Sequence, residues 1–260
     1  MLAVFMTGII VLCAFLLAVY QAKYRGLPQT DFKPRVLWLR ALIYFCVCLI
    51  VSWAAGTMEK LLANPFVTQA QLQSRAWIIW TAGSFVLVFI AYWIVWASMT
   101  ITFGRRRCLP VQICFGLVWG ACTSQIFLTI WHFCGIFGWP LWGRWILGYA
   151  LLSAYMGLFQ DMWWDVYVVP EHDTPLSLKL KVIFSHVPNM TVCLTYLALY
   201  DNQWIFVMLQ TMALTGAAIF MRFPPWWETI DVVAPRTAPG LFGLPHAAGY
   251  IGDERQPPRC

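Results

Sequence analysis

The sequence predicts an all-α, polytopic membrane protein with seven transmembrane helices, its N-terminus outside or lumenal and its C-terminus cytoplasmic. Three observations predict this. First, 61% of the 260 residues are hydrophobic and only 11% are charged, whereas a water-soluble domain carries about 25% charged residues. Second, seven apolar runs reach the roughly 20 residues that cross a hydrocarbon core. Third, the basic residues fall in alternate connections, which fixes sidedness by the positive-inside rule. Backbone polar groups must be satisfied within lipid, so these runs are helices rather than open strands.

In order, the runs are 2–20, 36–56, 77–103, 111–137, 143–168, 180–200 and 203–221. The first is apolar from Met1, with no basic leader and no small-residue cleavage site, so it reads as a helix rather than a removed signal peptide. Loop 21–35 holds Lys23, Arg25, Lys33 and Arg35; loop 104–110 holds Arg105, Arg106 and Arg107. Lys179, Lys181 and Arg222 complete this basic side, and the opposite connections carry only Lys60, Arg75 and Arg144. The outer loop 57–76 has room for a short interfacial helix. Residues 1–221 form the transmembrane domain. Residues 222–260 form a cytoplasmic tail with seven of the fifteen prolines, which favour extended chain.

Composition excludes some functions. The net charge of +6 is spread over loops between apolar runs, so no nucleic-acid partner is expected. The nine cysteines form no CxxC pair and no disulfide framework; most lie in apolar runs, where Cys behaves as a small hydrophobe. The seventh run has no lysine to form a Schiff base, which disfavours a rhodopsin-like photoreceptor.

The chemistry-bearing stretch is Gly148 to Pro188. It holds four of the eleven acids (Asp161, Asp165, Glu171, Asp173) and two of the four histidines (His172, His186). A carboxylate in an apolar run costs roughly 2.5–3.5 kcal/mol on insertion scales. Asp161 and Asp165 are one helical turn apart and share a face with Gly157, Ser153, Tyr149 and Trp145. Two acids this close in low dielectric are not both expected to ionise, and the protonated one can donate a proton. The alternative is that both are hydrated at the cytoplasmic interface. His186 and Asn189 share a face of the sixth run, with Pro188 between them to kink it; an interhelical hydrogen-bond role is the plainer reading of His186. Asp161, Asp165 and their acidic neighbours are compatible with Mg²⁺, but no doubled acidic motif and no zinc motif is present, so no metal or other cofactor is expected. A second polar set, Glu59, His132 and Asp201, lies near the outer side, where interfacial solvation also accounts for the two acids. Aromatics make up 17% of the chain. Interfacial belts explain many of them, but Trp80, Trp93, Trp96, Trp119, Tyr149 and Tyr155 fall inside the runs, and ring faces stabilise cations.

Seven helices in about 250 residues, isolated membrane-embedded acids and no metal motif resemble the small integral-membrane terpene cyclases of meroterpenoid pathways. The resemblance implies protonation of a prenylated substrate, at an epoxide or a terminal alkene, followed by ring closure. In that family the acids lie at the second helix and late in the chain, the places that Glu59 and Asp201 hold here. The residue reading and the resemblance together predict Asp161, Asp165, His186, Glu59 and Asp201 as catalytic candidates and Tyr149, Tyr155, Trp119 and Asn189 as substrate-binding candidates. The expected partners are a lipophilic small molecule and the bilayer. The expected location is a multi-pass position in the endoplasmic reticulum of a eukaryote or the plasma membrane of a bacterium. Two other classes stay open: a proton-coupled transporter, in which buried acids and histidine form a relay, and an accessory subunit of a membrane complex.

Overall fold

The computed structural model describes residues 34–98, 107–156, 182–227, 235–236 and 249–250. The predicted run 2–20, the second half of run 143–168, Asp161, Asp165, Glu171, His172 and Asp173 lie outside the described residues. Those described are helical apart from their connections and one two-residue antiparallel pairing in the tail, Pro235–Arg236 with Gly249–Tyr250. The helices are α1 (Pro34–Ala54), α2 (Thr57–Ala63), α3 (Gln69–Gln73), α4 (Arg75–Phe89), α5 (Leu109–Gly135), α6 (Leu141–Tyr155), α7 (Val187–Tyr200) and α8 (Gln203–Phe220). Two stretches of wider π-helix extend them: Ile90–Trp96 continues α4, and Val182–His186 leads into α7. Three helices, Arg75–Trp96, Leu109–Gly135 and Gln203–Phe220, are long and apolar enough to cross a membrane; α1 and α2 add a fourth if the bent pair counts as one span.

The core is apolar, but so is much of the surface, and several polar side chains are buried. Trp53, Ile79 and Trp142 are 73%, 70% and 69% exposed, while Ser84, Gln125, Asn189 and Gln210 are buried. In water this arrangement would waste apolar surface and strand polar groups. Against lipid, which offers no hydrogen bonds, the polar side chains belong inside, where they join helices.

Side-chain contacts fix the helix directions. Trp38 meets Phe115, Tyr44 bonds Thr123 and Ser52 bonds Gln125, so α1 advances in parallel with α5. Gly116 faces Thr215, Gly120 faces Thr211 and His132 bonds Gln203, so α8 runs antiparallel to α5. Tyr196 bonds Thr81 and His186 bonds Tyr92, so α7 is antiparallel to α4. The bundle therefore alternates up and down. The end expected to face outward, the outer end, gathers the connections 55–74, 136–140 and 201–202, and the opposite, inner end gathers Trp38, Phe115 and Phe223.

The α5–α8 seam is the tightest packing. A Cβ placed on Gly116 would stand 2.5 Å from Thr215 Cα, and one on Gly120 would meet Thr211 Cα closer still. Small residues one turn apart let the two backbones touch, a common device where lipid supplies no hydrophobic drive for helix association.

The outer loop differs in detail from the expectation. Run 36–56 ends two residues early, and Glu59 does not cap that helix: it lies on the separate helix α2, turned 75° from α1. Gly56 makes the turn at φ 70°, a left-handed conformation that costs glycine little. The predicted single interfacial helix is two short ones. The second is stopped and started by local chemistry: Thr68 and Gln71 form a reciprocal capping box, and Ser74 caps α4.

Candidate functional site

At the outer end, α2, α5, α6, α7 and α8 bring their polar residues together. Asp201 closes α7 in the left-handed conformation, φ 46° and ψ 24°. Asp tolerates this region better than most residues because its short polar chain bonds locally. The junction is clamped from the 55–74 connection. Asn64 Nδ2 donates to the Asp201 carbonyl at 3.2 Å, Trp204 Nε1 donates to the Asn64 carbonyl at 3.0 Å, and Asn202 Nδ2 donates to the Phe66 carbonyl at 2.9 Å. Asn202 also caps α8, accepting from Ile205 N–H at 3.0 Å.

The Asp201 carboxyl is exposed, yet it stands against the bundle end, and lost hydration raises it above its ordinary range; Arg144 and Lys60 pull it the other way. Arg144 is held in place. Its Nε and Nη2 donate to the Trp131 carbonyl at 3.2 and 3.1 Å, and the guanidinium lies 3.9 Å over the Trp131 ring. Beneath this group His132 Nε2 and Gln203 Nε2 are 3.1 Å apart. Both are on the inward face, and Gln203 is 5% exposed. Phe66, Trp204 and Trp131 set aromatic faces around the same end.

The other candidates are dispersed. His186 Nδ1 lies 2.7 Å from the Tyr92 hydroxyl, whose ring stacks on Trp96. Both partners sit on π-helical turns, a distortion often found at working sites. This pair belongs to the inner end. About 20 Å of α7 separates it from Asp201, at 1.5 Å per residue. Asn189 does not join His186: it donates to Gln210 Oε1 at 3.4 Å and accepts from Cys193 at 3.3 Å. Tyr155 is buried mid-bundle, 2.9 Å from the Tyr44 hydroxyl, which also lies 3.3 Å from Thr123. Tyr149 is half-buried and stacks on Trp145, while Trp119 is buried against Phe115. Glu59 is exposed on α2, one residue before Lys60.

No metal-competent group of three His, Cys, Asp or Glu side chains occurs among the described residues. Gln203 and Arg144 were not among the predicted site residues. The signal for Gln203 was its place directly after the Asp-Asn pair at the head of an apolar run; for Arg144 it was a cation alone between two tryptophans. Comparison with protein-family models, curated proteins and solved structures gives no match.

Proposed function

We propose that the chain is a seven-span integral-membrane enzyme that cyclises a prenylated lipophilic substrate by acid initiation, with Asp201 as the proton donor. The observation that carries this reading is the placement of Asp201 at the bundle end that also holds Arg144, the His132–Gln203 pair and the Phe66–Trp204 rings. Lost hydration there raises the carboxyl, the direction that suits a proton donor. In the proposed step, the carboxyl gives its proton to an epoxide oxygen or a terminal alkene carbon. The C–O bond or the π bond breaks, a tertiary cation forms, and an internal alkene closes the ring. Loss of a proton from the cyclised cation back to the carboxylate ends the reaction as a net isomerisation. Trp204 and Phe66 would present π faces to the transient charge.

The seven-span arrangement and its orientation are part of this proposal. Arg35, Arg40, Arg107 and Arg222 lie toward the inner end of the bundle, and Lys60, Arg75 and Arg144 toward the outer. This split supports a cytoplasmic C-terminus. The test is product formation in membranes containing each of Asp201→Asn, Glu59→Gln, Asp161→Asn and Asp165→Asn. Loss confined to Asp201→Asn is the expected result. Normal conversion by all four variants would end the acid-initiation reading.

One observation favours a second reading, a proton-coupled carrier. Buried polar groups run along α5: Thr123 near Tyr44, Gln125 accepting from Ser52 at 3.1 Å, Thr129 donating to Thr57 at 2.8 Å, then His132 with Gln203. Flux into sealed vesicles that needs a pH gradient would select it. Product formation in detergent, where no gradient exists, would select the enzyme.

A further inference from the structure

The His132–Gln203 contact leaves a mismatch that the described residues do not resolve. With a neutral imidazole, Gln203 Nε2 donates to His132 Nε2. The ring's other nitrogen is then an N–H donor and the amide oxygen an acceptor, and neither His132 Nδ1 nor Gln203 Oε1 has a partner among the described residues. Turning the amide over exchanges the roles but leaves the same count: one buried donor and one buried acceptor. A buried group left unsatisfied costs about as much as a lost hydrogen bond. Among the described residues, other buried polar atoms, Gln210 Nε2 and Thr211 Oγ1 among them, also lack a partner, but His132–Gln203 is a contact in which both side chains keep one unmatched atom.

We infer that His132 and Gln203 form the recognition point for the polar head of the substrate, a neutral group that donates one hydrogen bond and accepts another, such as a hydroxyl. The class of ligand rests on the cyclase reading; the site rests on the two unmatched atoms. Gln203 lies two residues after Asp201, so a head group held here is anchored at the same bundle end as the proposed proton donor. Arg144, fixed on the Trp131 carbonyl, and Lys60 both act electrostatically on His132. They would favour the oxygen of a polarised hydroxyl over a cationic head.

The test is equilibrium binding to the full chain in detergent, with 2-farnesylphenol and its O-methyl ether as probes. The ether keeps the shape and the acceptor but has no donor. Wild-type protein should prefer the phenol by about tenfold to a hundredfold, the range expected when a buried acceptor goes unmatched. The double variant His132→Phe, Gln203→Leu replaces both partners with apolar groups of similar size. It should bind phenol and ether alike, at the wild-type ether affinity, and unfold no lower than wild type. Should that variant lose ether binding as well, Gln203→Met takes its place and should also abolish the preference. Equal binding of phenol and ether by wild type would mean that the pair holds only water, and would overturn the inference. A preference that survives the double variant, or Gln203→Met in its place, would overturn it too. Because binding is read without turnover, the two ideas fail separately: discrimination without any cyclised product sinks the cyclase reading and leaves the recognition pair.

Discussion

Adding one methyl group at Gly120 should pry apart α5 and α8, and its cost can be worked from the seam. At Gly116 an added Cβ would stand 2.5 Å from Thr215 Cα, and ordinary contact begins at 3.4 Å. At Gly120 the approach to Thr211 Cα is tighter. Both obstructions are backbone, so no rotamer change relieves them, and the helices must separate by about 1 Å. Over-packing of this kind costs about 1–3 kcal/mol, and the rigid partners here place Gly120→Ala toward the top of that range. The same displacement would stretch the 3.1 Å His132–Gln203 bond at the outer end of the seam past hydrogen-bonding distance. Gly83→Ala is the control: an added Cβ there meets nothing within 4 Å, and alanine is the better helix former by about 1 kcal/mol. The assay is thermal unfolding in detergent, followed by near-ultraviolet circular dichroism. Gly120→Ala should unfold well below wild type and Gly83→Ala at or above it. If Gly120→Ala unfolds no lower than Gly83→Ala, the close α5–α8 contact is wrong.

Three further outcomes are expected. Tyr44→Phe removes a hydroxyl shared by Tyr155 and Thr123, so it should destabilise more than Tyr155→Phe, with each lost bond worth about 0.5–1.5 kcal/mol; a double-mutant cycle by thermal or denaturant unfolding checks the coupling. Tyr92→Phe should cost about 1 kcal/mol and remove the hydroxyl from His186 Nδ1, visible as a shift of its ring resonances in NMR, while leaving Asp201-dependent turnover in place because the pair lies at the opposite end. The Asp201 carboxyl is raised by folding, so the folded state binds its proton more tightly than the unfolded chain. The stability it contributes is present in acid, below the unfolded carboxyl range, and is lost as pH rises through the folded value. Asp201→Asn should therefore flatten the fall in unfolding temperature between acid and neutral pH, and an unchanged pH profile would contradict the assignment.

Most helix limits were legible because apolar length alone marks a span. Runs 111–137 and 203–221 match α5 and α8 within two residues. What faces inward was not legible. A helix that meets lipid on one side and protein on the other is apolar all round, so periodicity cannot choose a face. The informative residues were the polar ones. Gln125 and Gln210, polar residues within apolar runs, each bond across helices, to Ser52 and Asn189. The hydroxyls of Thr57, Thr123 and Thr129 were overlooked because threonine is common on any helix. The spacing Gly116-Leu-Val-Trp-Gly120 was a readable sign of close helix approach that composition hid. The break at Gly56 falls where run 36–56 is expected to end, but the division of the following loop into two short helices was not legible. Of the polar end group, Glu59, His132 and Asp201 could be placed at one end from the sequence, but Arg144 and Gln203 could not, since they join it only when the connections close on one another.

Turnover of an epoxidised farnesylphenol by the full chain in detergent, with no gradient present, is the most direct measurement of the central claim. Wild-type protein should yield a cyclised isomer of unchanged mass, and Asp201→Asn should yield none while still binding the substrate. Cyclisation by Asp201→Asn at the wild-type rate would contradict the account.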